Sequence, residues 1–296
     1  KVLRRSGISE NDTKKIIEKM KKAYVRWEEN SFPGLLGNVI AGRIANRLDL
    51  GGTNCTVDAA CASSLSAMKM AVSDLLEYRS DMMIAGGVDA DNSPMMYMCF
   101  SKTPAFTKGE NPRPFDENSG GVMIGEGMGM VILKRLEDAK QDGDNVYATL
   151  KGIGTSSDGR FKSIYAPRSG GQAKALRRAY EDANIDPRSI GLLEAHGTGT
   201  AAGDLAEFEG LKEVFSKKNE VKSDSIDSQY IALGSIKSQI GHTKAAAGIA
   251  GLIKTVLALH HKILPPSINI DHPIKNLGIE KTPFYLNTEP RPWITD

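Results

Sequence analysis

The stretch TNCTVDAACASSLSAMKMAVSDLLEYRSDMMIAGGV, Thr53 to Val88, reads as strand, helix, strand. Thr53 to Val57 has the make-up of a short buried strand. From Cys61 to Tyr78 the apolar residues Leu65, Met68, Val72, Leu75 and Leu76 recur at helical spacing. Met82 to Val88 is an apolar run of buried-strand length. This order predicts the α/β class, with a largely parallel or mixed sheet covered on its faces.

Toward the N-terminus, Ser9-Glu10-Asn11-Asp12 opens a helix expected to run to about Glu29, with Ile16, Ile17, Met20, Ala23, Tyr24 and Trp27 on one face. Phe32-Pro33-Gly34 breaks it, a second helix is expected over Leu35 to Leu48, and Gly51-Gly52 is a turn. Toward the C-terminus, Gly120 to Gly129 is glycine-dense and continues as a strand over Val131 to Leu133. Asp138 to Asn145 is polar and holds the turn signal Asp142-Gly143. It divides the chain into an N-terminal half, 1–140, and a C-terminal half, 141–296. The second half repeats the order: strands at Ala148 to Thr155, Gly191 to Glu194, Ile231 to Ser235 and Phe284 to Asn287, with helices at Gly170 to Asn184, Ala202 to Phe215 and Lys244 to His261. Ser216 to Ser228 reads as a charged surface excursion.

At 296 residues, 40% hydrophobic and 25% charged, the chain is an ordinary globular protein that needs no disulfide or metal staple. A net charge of +2 supplies no overall field toward nucleic acid or a membrane. The basic run from Lys14 to Lys22 is interleaved with Asp12 and Glu18 and reads as a solvated helix face. No apolar run is long enough to span a bilayer. Cys55, Cys61 and Cys99 form neither a disulfide framework nor a CxxC zinc pair, which points to a reducing, cytoplasmic setting. The chain starts at Lys1 and stops directly after a strand-like segment, so it reads as an excerpt of something longer.

Three segments could carry chemistry. Cys61 sits where a strand gives way to a helix, facing unpaired N–H groups and the positive end of the helix dipole. Both favour thiolate, so its pKa is expected below the free value of about 8.5. Its small neighbours leave room for an acyl chain. From this segment alone a buried structural cysteine fits equally well. His196, in EAHGTGT (Glu194 to Thr200), follows a strand end, where reactive groups of open α/β sheets gather. Two glycines allow close backbone approach, and Thr198 and Thr200 offer hydroxyls. His242, in KSQIGHTK (Lys237 to Lys244), lies between a strand and a long helix. Lys237 reads as a surface lysine or as a cation in the site's polar network.

A cysteine with two histidines, each at a strand-to-helix junction, has a chemical logic. The thiolate takes an acyl group from a thioester, and two imidazole N–H donors stabilise negative charge developing on a thioester oxygen. Cysteine protease or transamidase chemistry stands close behind, but it uses one histidine and an Asn or Asp orienter and gives no reason for the second. Cys55 and Cys99 read as packing residues, His260-His261 as a helix end, and His272 as loop. The GEGMG run at Gly125 to Gly129 leads into a strand, so it is not a dinucleotide fingerprint.

DAACASS around Cys61, EAHGTGT around His196 and KSQIGHTKAAAG around His242 resemble the three active-site motifs of β-ketoacyl synthases. RPFDENSGGVMIGEG (Arg113 to Gly127) and SSDG (Ser156 to Gly159) resemble further segments of that family. DAACASS and the AAGD after HGTGT look most like the ketosynthase of bacterial polyunsaturated fatty acid synthases, where modular polyketide synthases tend to carry DTACSSS. Gly251 stands where type II condensing enzymes can carry a glutamate, which also points to the multidomain branch.

The resemblance implies a thiolase-like fold of two similar α/β halves. It implies an acyltransferase of the 3-oxoacyl-[acyl-carrier-protein] synthase type, with Cys61 as nucleophile, His196 and His242 activating the extender, and Lys237, Thr198 and Thr200 in support. It further implies malonyl and acyl groups carried on the phosphopantetheine arm of an acyl carrier protein, no bound cofactor or metal, a homodimer, and further synthase domains. The family's first strand with its glycine-rich loop, and its closing phenylalanine loop, would lie outside Lys1 to Asp296. A silent ketosynthase-like partner would lack the nucleophile, and a thiolase would use a second cysteine in place of the HGTGT and KSQIGHT pair.

Overall fold

A computed structural model describes residues 2–103, 105–163, 165–216 and 229–294. The chain forms two compact units, Lys1–Thr56 and Val57–Asp296. Residues 217–228, most of the expected surface excursion, lie outside the described residues.

The first unit holds α1 (Val2–Arg5), α2 (Glu10–Ala23) and α3 (Asn38–Leu48). Ser9 caps α2 by accepting the Asp12 N–H, as the sequence signature suggests. The helix stops at Ala23 and not near Glu29, because Tyr24 turns extended. Tyr24, Val25 and Trp27 are exposed, and helical turns without a packed face are poorly held. The lysines from Lys14 to Lys22 are all exposed, a solvated face.

The second unit opens with α4 (Ser63–Leu76), β1 (Met82–Asp89), α5 (Pro94–Ser101), β2 (Gly127–Lys134) and α6 (Leu136–Gln141). It continues with α7 (Ser169–Ala183), β3 (Leu192–Glu194), α8 (Ala201–Phe215), β4 (Ile231–Gly234) and α9 (Lys237–Ile240). Last come α10 (Ala247–His261), β5 (Ile263–Leu264), β6 (Phe284–Leu286) and β7 (Arg291–Pro292). Strands β1 and β2 pair antiparallel from Met82↔Lys134 to Asp89↔Gly127. The order β3-β4-β6 is parallel throughout. Among the described residues no single sheet is mixed: the parallel ladders form one sheet in the C-terminal portion, and the antiparallel pairs β1-β2 and β5-β7 stand apart from it.

Two expected strands are corrected. Residues 53–57 and 148–155 join no ladder among the described residues. The Ile153 N–H instead donates to Asp182 Oδ2 on α7 at 2.8 Å. Cys55 and Cys99, expected as packing residues, are exposed. Cys55 lies in the unpaired stretch, and Cys99 shares α5 with the exposed Met95 and Met98.

Two apolar clusters hold the helices of the second unit against its strands. Met68 and Ala71 of α4, Ala85 of β1, Ala246 and Ile249 form one, so α4 and the start of α10 pack against β1. Phe208 and Phe215 of α8, Ile231 and Leu233 of β4, and Phe284 of β6 form the other. Their rings meet edge to face, Phe215 to Phe284 at 5.1 Å, the favoured aromatic geometry. No described helix is long and apolar enough to cross a membrane.

Candidate active site

Cys61 is the middle residue of a one-turn 3-10 segment, Ala60–Ala62, that leads into α4. The motif around it is a set of local ties. Asp58 Oδ1 accepts the Ala60 N–H at 3.0 Å. Ser63 Oγ accepts the Ala59 N–H at 2.9 Å and donates to the Ala60 carbonyl at 2.7 Å. Ser64 Oγ accepts the Ile249 N–H at 3.0 Å, fastening the start of α4 to the start of α10. The small residues of DAACASS thus hold one turn of chain in place, with Cys61 half-buried.

His196 follows β3. Its backbone N–H and that of Gly197 donate to the two oxygens of Glu207 on α8, at 2.7 and 2.8 Å. Gly197 has φ +44°, and a Cβ there would meet Ser235 Cβ at 2.7 Å, so both conformation and space demand glycine. Asp204, fully buried, accepts the Phe115 N–H at 2.7 Å and the Gly199 N–H at 3.1 Å. Thr200 Oγ1 accepts the Gly203 N–H at 3.1 Å as the cap of α8, with Thr198 Oγ1 3.0 Å away. Thr200 therefore carries a structural duty.

His242 lies in the loop after α9, stitched to the glycine-dense segment. Its N–H donates to the Met123 carbonyl at 2.7 Å, and its carbonyl accepts the Gly125 N–H at 3.0 Å. Its Nδ1 accepts the Lys244 backbone N–H at 2.9 Å. A backbone amide can only donate, so in the neutral ring Nε2 carries the proton.

The structure brings Cys61, His196 and His242 together. Their nearest reactive atoms all lie within 4.8 Å of one another. The two imidazoles stand perpendicular, centroids 5.4 Å apart. Lys237, read as surface or network, is 5% exposed, so the surface reading is excluded. Loss of hydration holds its pKa below the ordinary lysine value, opposed by Glu207, Glu194, Cys61 and Asp204.

Burial lowers the His242 pKa to about 4, helped by the positive charge of Lys237. His196 is also drawn down, first by loss of hydration and then by Lys237 and His242. By surface area His196 is exposed, and solvent screens that effect. Both rings are therefore neutral near pH 7.

Cys61 departs from expectation. Burial raises its pKa, outweighing the pull of Lys237 and of the backbone N–H. The resting group is a thiol, because a single 3-10 turn offers less than the desolvation takes away. The three donors are close enough to suggest a soft cation, but they do not fit one. Binding through His242 Nε2 would move the proton to Nδ1, against the Lys244 N–H.

Several residues escaped the sequence reading. Glu194 accepts the Ile236 N–H at 2.6 Å and pairs with Lys254 at 2.6 Å, with side-chain exposures of 12% and 7%. Burial raises the pKa of Glu194 despite that lysine. The one available signal was the spacing of Asp204 and Glu207, three apart in the first half of the helix that follows the histidine motif.

Residues 2–139 match the family described as Beta-ketoacyl synthase, N-terminal domain, and residues 147–271 match its C-terminal domain. The chain is 48% identical to a polyunsaturated fatty acid synthase subunit of Thraustochytrium sp., over 99% of this chain and 10% of that protein. It is 39% identical to polyketide synthase PksL of Bacillus subtilis, over 87% of this chain and 6% of that protein. Among solved structures it is similar to the ketosynthase from module 6 of the bacillaene synthase of Bacillus subtilis. That match has a TM-score of 0.84 at 37% identity, covering 92% of this chain and 48% of that one. The chain thus spans a tenth or less of these two relatives and just under half of that structure.

Proposed function

The chain belongs to the β-ketoacyl synthase family and has its thiolase-like fold, and from that premise we propose that it forms carbon–carbon bonds by decarboxylative Claisen condensation on Cys61. The observation that carries the reading is the pairing of one thiol with two neutral imidazoles, of which His242 offers an N–H. A cysteine hydrolase uses one histidine, with one ring N–H held by an Asn or Asp and the other nitrogen bare toward the thiol.

The proximity of the three groups supports the following steps. Cys61 Sγ attacks the carbonyl of an acyl thioester. The S–C bond forms, the carrier thiol leaves, and the Cys61 proton passes to the departing carrier sulfur. Malonyl thioester then loses CO₂, and the electrons of the broken C–C bond pass to the thioester oxygen. His196 and His242 donate N–H to that oxygen. The resulting carbanion attacks the acyl carbon, the C–C bond forms as the Cys61 S–C bond breaks, and the released thiolate takes up a proton from solvent. Lys237 supports the pair by keeping both rings neutral, and Thr198 and Thr200 shape the loop that presents His196.

In this reading the acyl and malonyl groups arrive on the phosphopantetheine arm of an acyl carrier protein, as substrates and not as a bound cofactor. The product is a 3-oxoacyl thioester of polyunsaturated fatty acid or polyketide synthesis. Residues 1–140 and 141–296 are two halves of one condensing domain. That domain pairs as a homodimer within a multidomain synthase in the cytoplasm. Intact-mass measurement after exposure to acyl-carrier thioester tests the nucleophile. Cys55→Ala and Cys99→Ala should gain the acyl mass and Cys61→Ala should not; acyl mass on Cys61→Ala would overturn the assignment.

A further inference from the structure

We infer that Lys244 is a positioning residue for His242: its ammonium, tied at once to Asp89, Asn92 and the Gly125 carbonyl, pins the backbone turn whose amide N–H occupies His242 Nδ1. The inference deepens the proposed function and rests on it. Lys244 has φ +49°, a left-handed conformation that non-glycine residues seldom adopt. It is also 8% exposed, although lysine heads ordinarily stay in water. The side chain resolves both oddities. Nζ lies 3.0 Å from Asp89 Oδ1, 3.0 Å from Asn92 Oδ1 and 2.8 Å from the Gly125 carbonyl. Three acceptors meet three ammonium hydrogens.

These anchors come from around the histidine. Asp89 ends β1, and Gly125 gives its own N–H to the His242 carbonyl at 3.0 Å. Asn92 gives its N–H to Glu126 Oε1 at 3.0 Å. The knot therefore holds one loop from both sides. An amide fixed on Nδ1 opposes a proton at that atom, and so opposes both the other tautomer and the imidazolium. The charged and titratable groups facing His242 are Lys237, Lys244 and Asp89, with Cys61 and His196 across the pocket. The Lys244 and Asp89 charges act on the ring in opposite directions, and the effect assigned to the knot is backbone geometry.

Nitrogen-15 spectra of histidine-labelled full chain, with His242 assigned by its loss in His242→Gln, test this directly. The wild type should show a protonated Nε2 and a bare Nδ1 at neutral pH. Lys244→Met should mix the tautomers and slow CO₂ release from malonyl thioester by about tenfold or more, within the ~10²-fold that a 1 Å misplacement can cost. Acyl loading of Cys61 should be unchanged. Lys244→Gly should recover the single tautomer and most of the rate, because glycine adopts the left-handed turn unaided. A protonated Nδ1 in the wild type, or an unchanged tautomer in Lys244→Met, would overturn the proposal. So would a Lys244→Gly as impaired as Lys244→Met, since the ammonium would then act by charge. If Lys244→Met does not fold, the wild-type spectrum and Lys244→Gly still decide. If the wild type releases no CO₂, the condensing reading fails while the nitrogen spectra still judge the knot.

Discussion

Gly87, on β1, sets how closely the cysteine helix and the histidine turn approach each other. A Cβ at this position would stand 2.8 Å from Ser64 Cβ, 2.8 Å from the Ala245 carbonyl oxygen and 3.1 Å from Ala246 Cα. Ser64 is three residues past Cys61, and Ala245 three past His242. Carbon atoms rest at about 3.5–4.0 Å, so Gly87→Ala falls short by about 1 Å against Ser64 and by about 0.4–0.9 Å against Ala246 at once. None of these neighbours is the end of a flexible side chain, and Ser64 is further held by its bond from the Ile249 N–H. The strand must bow or the two segments must part. Overpacking of this kind costs about 1–3 kcal/mol of stability. A parting of about 1 Å between Cys61 and His242 should cost up to ~10²-fold in condensation. Urea unfolding and product formation, measured on the same preparation, separate the two effects. Condensation should fall even under conditions where Gly87→Ala is fully folded. A variant with the wild-type unfolding midpoint and full activity would refute the claim that β1 gauges the spacing.

Two further predictions concern protons. In a Cys55→Ala/Cys99→Ala background, the pH midpoint for alkylation of Cys61 should lie above that of the unfolded chain, because burial raises the thiol. Lys237→Met should raise it further, and a midpoint below the free-thiol value would make the helix dipole the stronger influence. Burial, with the charge of Glu207, pushes Asp204 up to about 7, from an ordinary value of about 3.9. Its stabilising share is then full below about pH 3.9 and is lost as pH rises to about 7. The stability difference between wild type and Asp204→Asn should change across that window and level off above it; parallel curves would contradict the assignment.

The chemistry was legible because it is local. The three motifs are short runs that can be recognised wherever the chain goes, and Cys61, His196 and His242 do converge. Elements that depend on a partner were less legible. Residues 53–57 and 148–155 have strand-like composition, but a ladder needs a neighbour, and none of the described residues supplies one. The exposure of Cys55 and Cys99 follows the same logic, since burial belongs to the surroundings and not to the residue. The sign of the Cys61 shift was missed because helix position can be read from sequence while desolvation cannot. Glu207, Asp204 and Lys244 look in sequence like solvated helix and loop charges. Their value comes from backbone N–H and carbonyl groups that only the fold brings to them.

The division of labour between one thiol and two imidazoles is tested most directly by following labelled CO₂ and acyl-enzyme separately in three variants. His196→Ala and His242→Ala should keep measurable acylation and lose CO₂ release by ~10²-fold or more, the scale for removing one oxyanion donor. Cys61→Gln should show the reverse, with no acylation and decarboxylation retained. A histidine variant that releases CO₂ at the wild-type rate yet cannot be acylated would contradict the account, because that histidine would then be the base that deprotonates Cys61.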